Sequence, residues 1–425
     1  MKTFNRILIV ICIFSVIYLG ILFAVMSGAI GGTERKLDDI EQYGQTLDEL
    51  VIPEGTKVVG IGEASHGNCE FQTAKLDMLK KQVEAGVCHS IAFEMNPGES
   101  AEINDAIHGG DVDIEELMGR TDYPLYDTAQ MIELVEWMRD YNKDKSLEDS
   151  VTIYGVDIQG PWRDMNYLAD FGERHPDTFT EEEMAKFNTM IEDDDYDIYT
   201  EKDFFTGIYN KLLAYDEYEY KYAALVAEIL LQSYDAPSFT DTPDEYAAYR
   251  DSHMAQNLMS FYNLEVERGY SQIIITAHNG HTMKGEQEGY GEVSAMGGCI
   301  NDIFEGSYFS VGTAYYNACV NIHVAGTYDD NYVRKDYNFC SDDILAYQAK
   351  YFEGEKYCLN FSEITDTNCE VYKKIHNPGF MGLVGEGISA LTEQQRMDRA
   401  RLVQADRFDA VIYYYNVTPI RCLNY

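Results

Sequence analysis

Two strand-like runs separated by one helix-like run constrain this chain more than any other feature. Lys57–Ile61 has strand character and leads directly into Gly62. Cys69–Val83 then places Phe71, Leu76, Leu79 and Val83 near helical spacing. Ser90–Phe93 is the next strand-like run and ends at Glu94. Strand, loop, helix, strand is the start of a parallel sheet, because parallel neighbours need a crossover long enough to hold a helix.

The pattern repeats more loosely downstream. Tyr126–Tyr141 reads as a helix with Met131, Leu134, Val135 and Met138 on its apolar face, and Val151–Val156 as a strand leading to Asp157. Residues 180–235 are mostly helical in pattern, and Tyr246–Glu267 is a further helix. Gln272–Ala277 is a strand entering His278-Asn279-Gly280-His281; Leu391–Ala405 reads as a helix and Ala410–Tyr415 as a last strand. No solenoid-period repeat and no Pro-rich or Gly/Ser-rich linker divides the chain. The expectation is an α/β fold with a central, mostly parallel sheet flanked by helices and a helical lobe inserted at about 180–268. The main unit would span 51–425, with 31–50 as a linker or entry helix.

Ahead of this unit, Ile7–Met26 carries no charged side chain, enough residues for a helix to cross a hydrocarbon core of roughly 30 Å. Lys2 and Arg6 precede it, so the N-terminus should stay inside and the remainder be exported. This predicts a single-pass anchor spanning the first 30 residues or so. The alternative is a signal peptide cleaved near Ser27, Gly28 and Ala29, giving a secreted protein. Both readings put the main unit outside the cytoplasm. Nine cysteines occur, and Cys12 lies in the apolar run. For an exported chain the other eight permit disulfides, and one or two are expected among the last six.

The formal net charge is -41, from 73 acidic and 32 basic residues. Such a field repels nucleic acid and favours neutral or cationic ligands. The densest acidic run, Glu192–Asp197, lacks the spaced ligands and glycine of a calcium loop and reads as solvated surface.

Ligands of parallel sheets gather beyond the carboxyl ends of the strands. Glu63 with His66, Glu94, Asp157, and His278 with His281 all fall in that zone. A histidine accepts and donates protons near neutral pH, and a carboxylate can fix its tautomer. Gly60, Gly62 and Gly67 surround the first loop and would let it turn sharply while presenting Glu63 and His66 to a cleft. The loop is not a dinucleotide fingerprint, since G-x-G-x-x-G is absent, nor a nucleophile elbow, since Glu63 stands where that motif places its first glycine. No H-E-x-x-H occurs, and no cofactor or metal is expected. Convergence of Glu63, His66, Glu94 and His278 on zinc is the competing arrangement.

These motifs resemble the erythromycin esterase family. Val59-Gly60-Ile61-Gly62-Glu63-Ala64-Ser65-His66-Gly67 is close to the family's G-x-G-E-x-x-H-G segment. The matching helix and Ile91-Ala92-Phe93-Glu94 follow, then Trp137, Arg139 and Asn142, and Tyr154-Gly155-Val156-Asp157. Arg250–Asn257 is similar to an R-D-x-x-M-A-x-N helix and Ile274–His281 to a W-A-H-N-x-H strand end; Tyr308–Tyr315 and Phe408–Pro419 extend the likeness. Thr276 departs from the family by replacing its tryptophan, and the N-terminal apolar run is untypical of its macrolide-resistance members. The resemblance covers roughly residues 50–420. It implies hydrolysis of an ester or macrolide lactone, with His66 as general base for water, Glu63 and Glu94 orienting the centre and His278 in the same pocket. Arg250 follows by position, with Asp157 and His281 as supporting groups. A non-hydrolytic envelope protein of exopolysaccharide handling and a metal-dependent hydrolase are the alternative functions.

Overall fold

The structure is a computed structural model that describes residues 34–193, 195–286, 293–324, 333–389 and 396–423. Its strands are β1 (Val58–Glu63), β2 (Cys88–Phe93), β3 (Thr152–Gly155), β4 (Gln272–His278), β5 (Tyr308–Val324), β6 (Arg334–Cys340), β7 (Lys356–Asn360), β8 (Gly379–Gly382), β9 (Gly387–Ile388), β10 (Arg399–Leu402) and β11 (Ala410–Val417). The main sheet has the order β3-β2-β4-β1-β5-β11-β7, with β6 and β9 also on β5. From β3 across to β11 all neighbours are parallel, and β7 pairs antiparallel to β11. The expected α/β architecture is therefore present.

The helices that cover the sheet are α1 (Cys69–Glu84), α2 (Pro97–Ile107), α3 (Ala129–Asn142), α4 (Pro161–Arg174), α5 (Glu181–Glu192), α6 (Lys202–Leu212), α7 (Tyr218–Asp235), α8 (Pro243–Arg268) and α9 (Met296–Ile303). Helices α5 to α8 form the helical lobe, and Ile40–Tyr43 is a short helix before β1. Both faces of the sheet are buried, as the near-continuous apolar runs of β1, β2 and β4 require. Strand alternation divides the core. Val59, Ile61 and Ile274 pack with α1 and α3, whereas Val58, Ile273 and Ile275 pack with α4, α7 and α8.

Chain order places a switch in the direction of the connections within this sheet. From β1 the chain moves to β2 and β3 on one side, returns as β4 beside β1, and then crosses to β5 on the other side of β1. The carboxyl ends of β1 and β4 thus flank the point where the connections diverge, the place such folds use for ligands. Helix α8 delivers further groups there. Its first residue is Pro243, and Gly269, with φ 100°, ends it in the left-handed conformation.

Three expectations meet a different outcome. Leu391–Ala405 is not a continuous helix: Arg399–Leu402 is a strand paired antiparallel to β8, and residues 390–395 are outside the described set. Leu402 is buried next to the exposed Arg401, an alternation that suits an edge strand. All eight described cysteines are free, contrary to the disulfides expected. They sit on separate elements with partners of their own: Cys69 donates to the Pro419 carbonyl, Cys88 to Ser90 and Cys422 to Pro124. The apolar run Ile7–Met26 lies outside the described residues, among which no helix is long and apolar enough to cross a membrane. In the acidic run, Glu192, Asp193, Asp195 and Asp197 are exposed, while Asp194 is outside the described residues.

Candidate active site

The β1–α1 loop is held too tightly to be an ordinary surface turn. Ala64 N donates to Thr313 Oγ1 at 2.9 Å, and that hydroxyl donates to the Gly62 carbonyl at 2.9 Å. Asn68 Nδ2 donates to the carbonyls of Cys319 and Thr418 at 2.8 and 3.0 Å. Ser65 gives its hydroxyl proton to Asn68 Oδ1 at 2.5 Å, so it supports the loop and is not poised as a nucleophile. Glycine is required by close approach: a Cβ on Gly62 would lie 2.2 Å from Asn279 Oδ1, and one on Gly67 2.3 Å from the Asn321 carbonyl oxygen.

This frame aims His66 back at the strand end. His66 Nδ1 lies 2.9 Å from Glu63 Oε2, and Glu63 Oε1 lies 2.7 Å from Lys75 Nζ. Lys75 extends from α1, is 2% exposed, and also lies over the rings of Phe93 and Tyr126. A buried ammonium, carboxylate and imidazole thus form one line.

A second charged group occupies the ends of β2, β3 and β4. Arg250 on α8 donates to both Asp157 oxygens, at 2.9 and 2.5 Å, and to Glu94 Oε1 at 2.7 Å. His281 Nδ1 is 2.7 Å from Asp251 Oδ1, and its Nε2 is 3.4 Å from Glu94 Oε1. Asp251 Oδ2 accepts the Met296 N–H at 2.8 Å.

His278 joins the two groups. Its backbone N–H donates to Glu94 Oε2 at 3.1 Å, and its ring centre is 5.2 Å from that of His66. Gly280 N–H donates to His278 Nδ1 at 3.2 Å, so in the neutral ring the proton belongs on Nε2. That Nε2 is buried and has no hydrogen-bond partner among the described residues.

Electrostatics separates the roles of these groups. Burial pushes His278 down to about 3, reinforced by the nearby positive His66 and His281, so its ring is neutral. His66 is also opposed by burial, yet Glu63 and then Glu94 raise it above the ordinary imidazole value. Burial likewise works against His281, and Asp251 and Glu94 raise it. Glu63 and Glu94 are held below the usual carboxylate range: against burial, Lys75 and His66 stabilise the first anion, and His281 and Arg250 the second. Among the described residues no group of three or more His, Cys, Asp or Glu side chains is placed to share a metal ion.

All seven residues singled out from the sequence, Glu63, His66, Glu94, Asp157, Arg250, His278 and His281, thus come together at the carboxyl edge of the sheet in these two linked groups. Two partners escaped that reading. Lys75 sits four residues after Phe71 and four before Leu79, inside the buried stripe of α1, and a lysine in that stripe was the available signal. Asp251 adjoins Arg250 but points to His281. Thr276, where the family has tryptophan, is buried in β4, and its Oγ1 has no hydrogen-bond partner among the described residues.

A parallel sheet with two charged, histidine-bearing groups at its carboxyl edge defines an α/β protein whose buried polar groups gather at one sheet edge. The chain belongs to the erythromycin esterase family, whose model matches residues 83–417. The match starts after the Glu63–His66 loop. It is 24% identical over 342 residues to the erythromycin esterase type II of Escherichia coli, covering 71% of this chain and 77% of that protein. In solved structures the fold resembles a Bacillus cereus protein, with TM-score 0.68, 17% identity, and 90% of this chain and 97% of the other covered. A succinoglycan biosynthesis protein aligns with TM-score 0.69 and 17% identity over 92% and 94% of the two chains. A mutant of the erythromycin esterase EreC in its open conformation aligns with TM-score 0.58 and 14% identity over 86% and 91%. Family membership makes this chain a hydrolase of the esterase type.

Proposed function

We propose that this protein hydrolyses a carboxylic ester or lactone with His66 as the general base for water. The observation that carries this reading is the 2.9 Å contact between His66 Nδ1 and Glu63. An anionic Glu63 accepts the Nδ1 proton and leaves the Nε2 lone pair to take a proton from water. The water oxygen then bonds to the ester carbonyl carbon. As the tetrahedral intermediate collapses, the His66 imidazolium returns its proton to the departing alkoxide, and acid and alcohol are released. His278 is suited to a different task. A neutral ring that donates from Nε2 can stabilise the developing oxyanion, and a donor in such a position typically contributes about 10²–10³-fold. Arg250, Asp157, Glu94 and His281 hold the edge of the site and supply its fixed charge.

The substrate we propose is a neutral or cationic small molecule, in keeping with the net charge of -41. We further propose that Ile7–Met26 anchors the protein in the cell membrane with its catalytic domain outside the cytoplasm; cleavage after the run would release it as a secreted protein.

A panel of acyl esters and lactones, incubated with the purified protein in ¹⁸O-labelled water, tests the reaction class. Hydrolysis places the label in the released acid. Failure to release acid from every member of the panel contradicts the proposal.

A further inference from the structure

Helices α2, α4 and α7 enclose a cleft of about 210 Å³ against the outer strand of the main sheet. Each helix turns one face to it. Ala101, Asn104 and Asp105 follow at i, i+3 and i+4 on α2, Tyr167 and Arg174 are two turns apart on α4, and Tyr218 and Tyr222 one turn apart on α7. Asn104 closes the free edge of β3: its Oδ1 accepts the Ile153 N–H at 3.0 Å and its Nδ2 donates to the Ile153 carbonyl at 2.6 Å. Thr152, the first residue of β3, also lines the cleft. The cleft therefore lies at the opposite end of that strand from Asp157.

Its walls are held from behind. Arg268 donates to the Thr152 hydroxyl at 2.9 Å and to the Leu147 carbonyl at 2.7 Å, and is itself paired with the buried Glu265. The Tyr218 hydroxyl bonds that of Tyr154 at 2.8 Å, and Tyr222 donates to the Pro97 carbonyl at 2.9 Å. With those hydroxyls engaged, the two residues offer ring surface and no free donor. The Tyr167 and Tyr222 rings meet at 73°, with centroids 5.6 Å apart, and form a corner. Burial raises all three phenols, so none is an anion near neutral pH.

A cation already rests on this corner. The Arg174 guanidinium carbon lies 5.8 Å from the Tyr167 ring centre, inside the roughly 6 Å reach of a cation–π contact. Its hydrogen bonds are long, 3.5 Å to Asp105 Oδ2 and 3.4 Å to the Asp170 carbonyl, against about 2.7–3.2 Å for a well-formed bond. The guanidinium is thus loosely tied, with open volume beside the ring it covers. Among the residues lining the cleft, the carboxylates of Asp105 and Glu219 stand against that one positive charge. Burial holds His108 below the ordinary imidazole value, so it adds none near neutral pH.

We propose that this cleft binds a small organic cation, a quaternary or tertiary ammonium group, over the Tyr167 ring in place of Arg174. An ammonium clothed in methyl groups matches an aromatic corner, which attracts its charge and covers its apolar surface. Asp105 and Glu219 balance that charge at the rim, and the net charge of -41 draws cations to the surface. The volume is below the roughly 300–1,000 Å³ of sites for drug-sized ligands, so the occupant is small. No residue of the cleft belongs to the Glu63–His66 or Arg250 groups, and the site stands whether or not the hydrolytic reading does.

Isothermal titration calorimetry of the full chain with choline and with 3,3-dimethylbutan-1-ol, its uncharged isostere, tests the proposal. Choline should bind at least tenfold more tightly than the isostere. Arg174→Ala, at an exposed position, should tighten choline at least threefold by removing the competing guanidinium. That gain should vanish when Tyr167→Leu is added and survive Tyr167→Phe, which a mere change of surface charge does not predict. Equal binding of the isostere overturns the proposal, as does absence of choline binding to both the parent and Arg174→Ala proteins. A choline affinity that Arg174→Ala leaves unchanged overturns it too, even where Tyr167→Leu fails to fold.

Discussion

Glu63 sits between a base and a buried ammonium, and the balance between its two neighbours should be visible in the pH profile. His66 works as a base only when neutral, and its pKa is raised above 6.5, opposed by burial but driven up by Glu63 and Glu94. Hydrolysis should therefore rise with pH through a midpoint above the ordinary imidazole value. Glu63→Gln removes a hydrogen bond and a negative charge that raise His66. Its kcat/KM midpoint should move to lower pH, and the plateau should fall by about 10²-fold or more as the tautomer is no longer fixed. Lys75→Met acts in the opposite direction. Glu63 then answers to His66 alone, so the midpoint should move up. Breaking this buried pair should also cost about 3–5 kcal/mol in urea unfolding. A Lys75→Met protein with unchanged midpoint and stability would remove Lys75 from the account.

At the scale of elements, the β1–α1 turn works because its glycines leave room for the groups packed closely against them. Gly62→Ala places a methyl group against Asn279 Oδ1 and Thr282 Oγ1, at 2.2 and 2.4 Å. Overpacking of this kind typically costs about 1–3 kcal/mol. Here it should also displace the loop that carries His66, so kcat should fall along with Tm; a variant with native Tm and full activity would show that the loop tolerates the shift. The loop also shows what could be read from sequence. Strand ends were legible because β1, β2 and β4 are apolar runs that stop abruptly at Glu63, Glu94 and His278. Their register was not. Only the parallel pairing sets Glu63 level with His278 across β1 and β4. Lys75 was hidden because its helix reads as amphipathic whether or not one member of the stripe is charged. Residues 399–402 misled because Leu402 and its neighbours suit a helix locally, and pairing with β8 decided otherwise. Such tertiary choices leave no short-range trace.

For the whole molecule, the charge and the N-terminal run make claims about place. Removal of residues 1–30 should shift the protein from the membrane fraction to the soluble fraction after cell breakage, with esterase activity retained. A full-length chain already found wholly in the cytosol would contradict an external anchor. The eight described cysteines are free, so an excess of reductant should leave Tm unchanged. A fall of several degrees would reveal a bridge that this structure does not contain. Both experiments treat the sheet and its helical lobe as one unit, because α4, α7 and α8 share a core with β1, β2 and β4.

The central claim is that His66 takes the proton from water, and the turnover of His66→Ala measures it most directly. On the best ester of the panel, with circular dichroism and Tm matching the parent protein, kcat should fall by about 10²–10⁴-fold. A correctly folded His66→Ala protein with undiminished kcat would contradict the account.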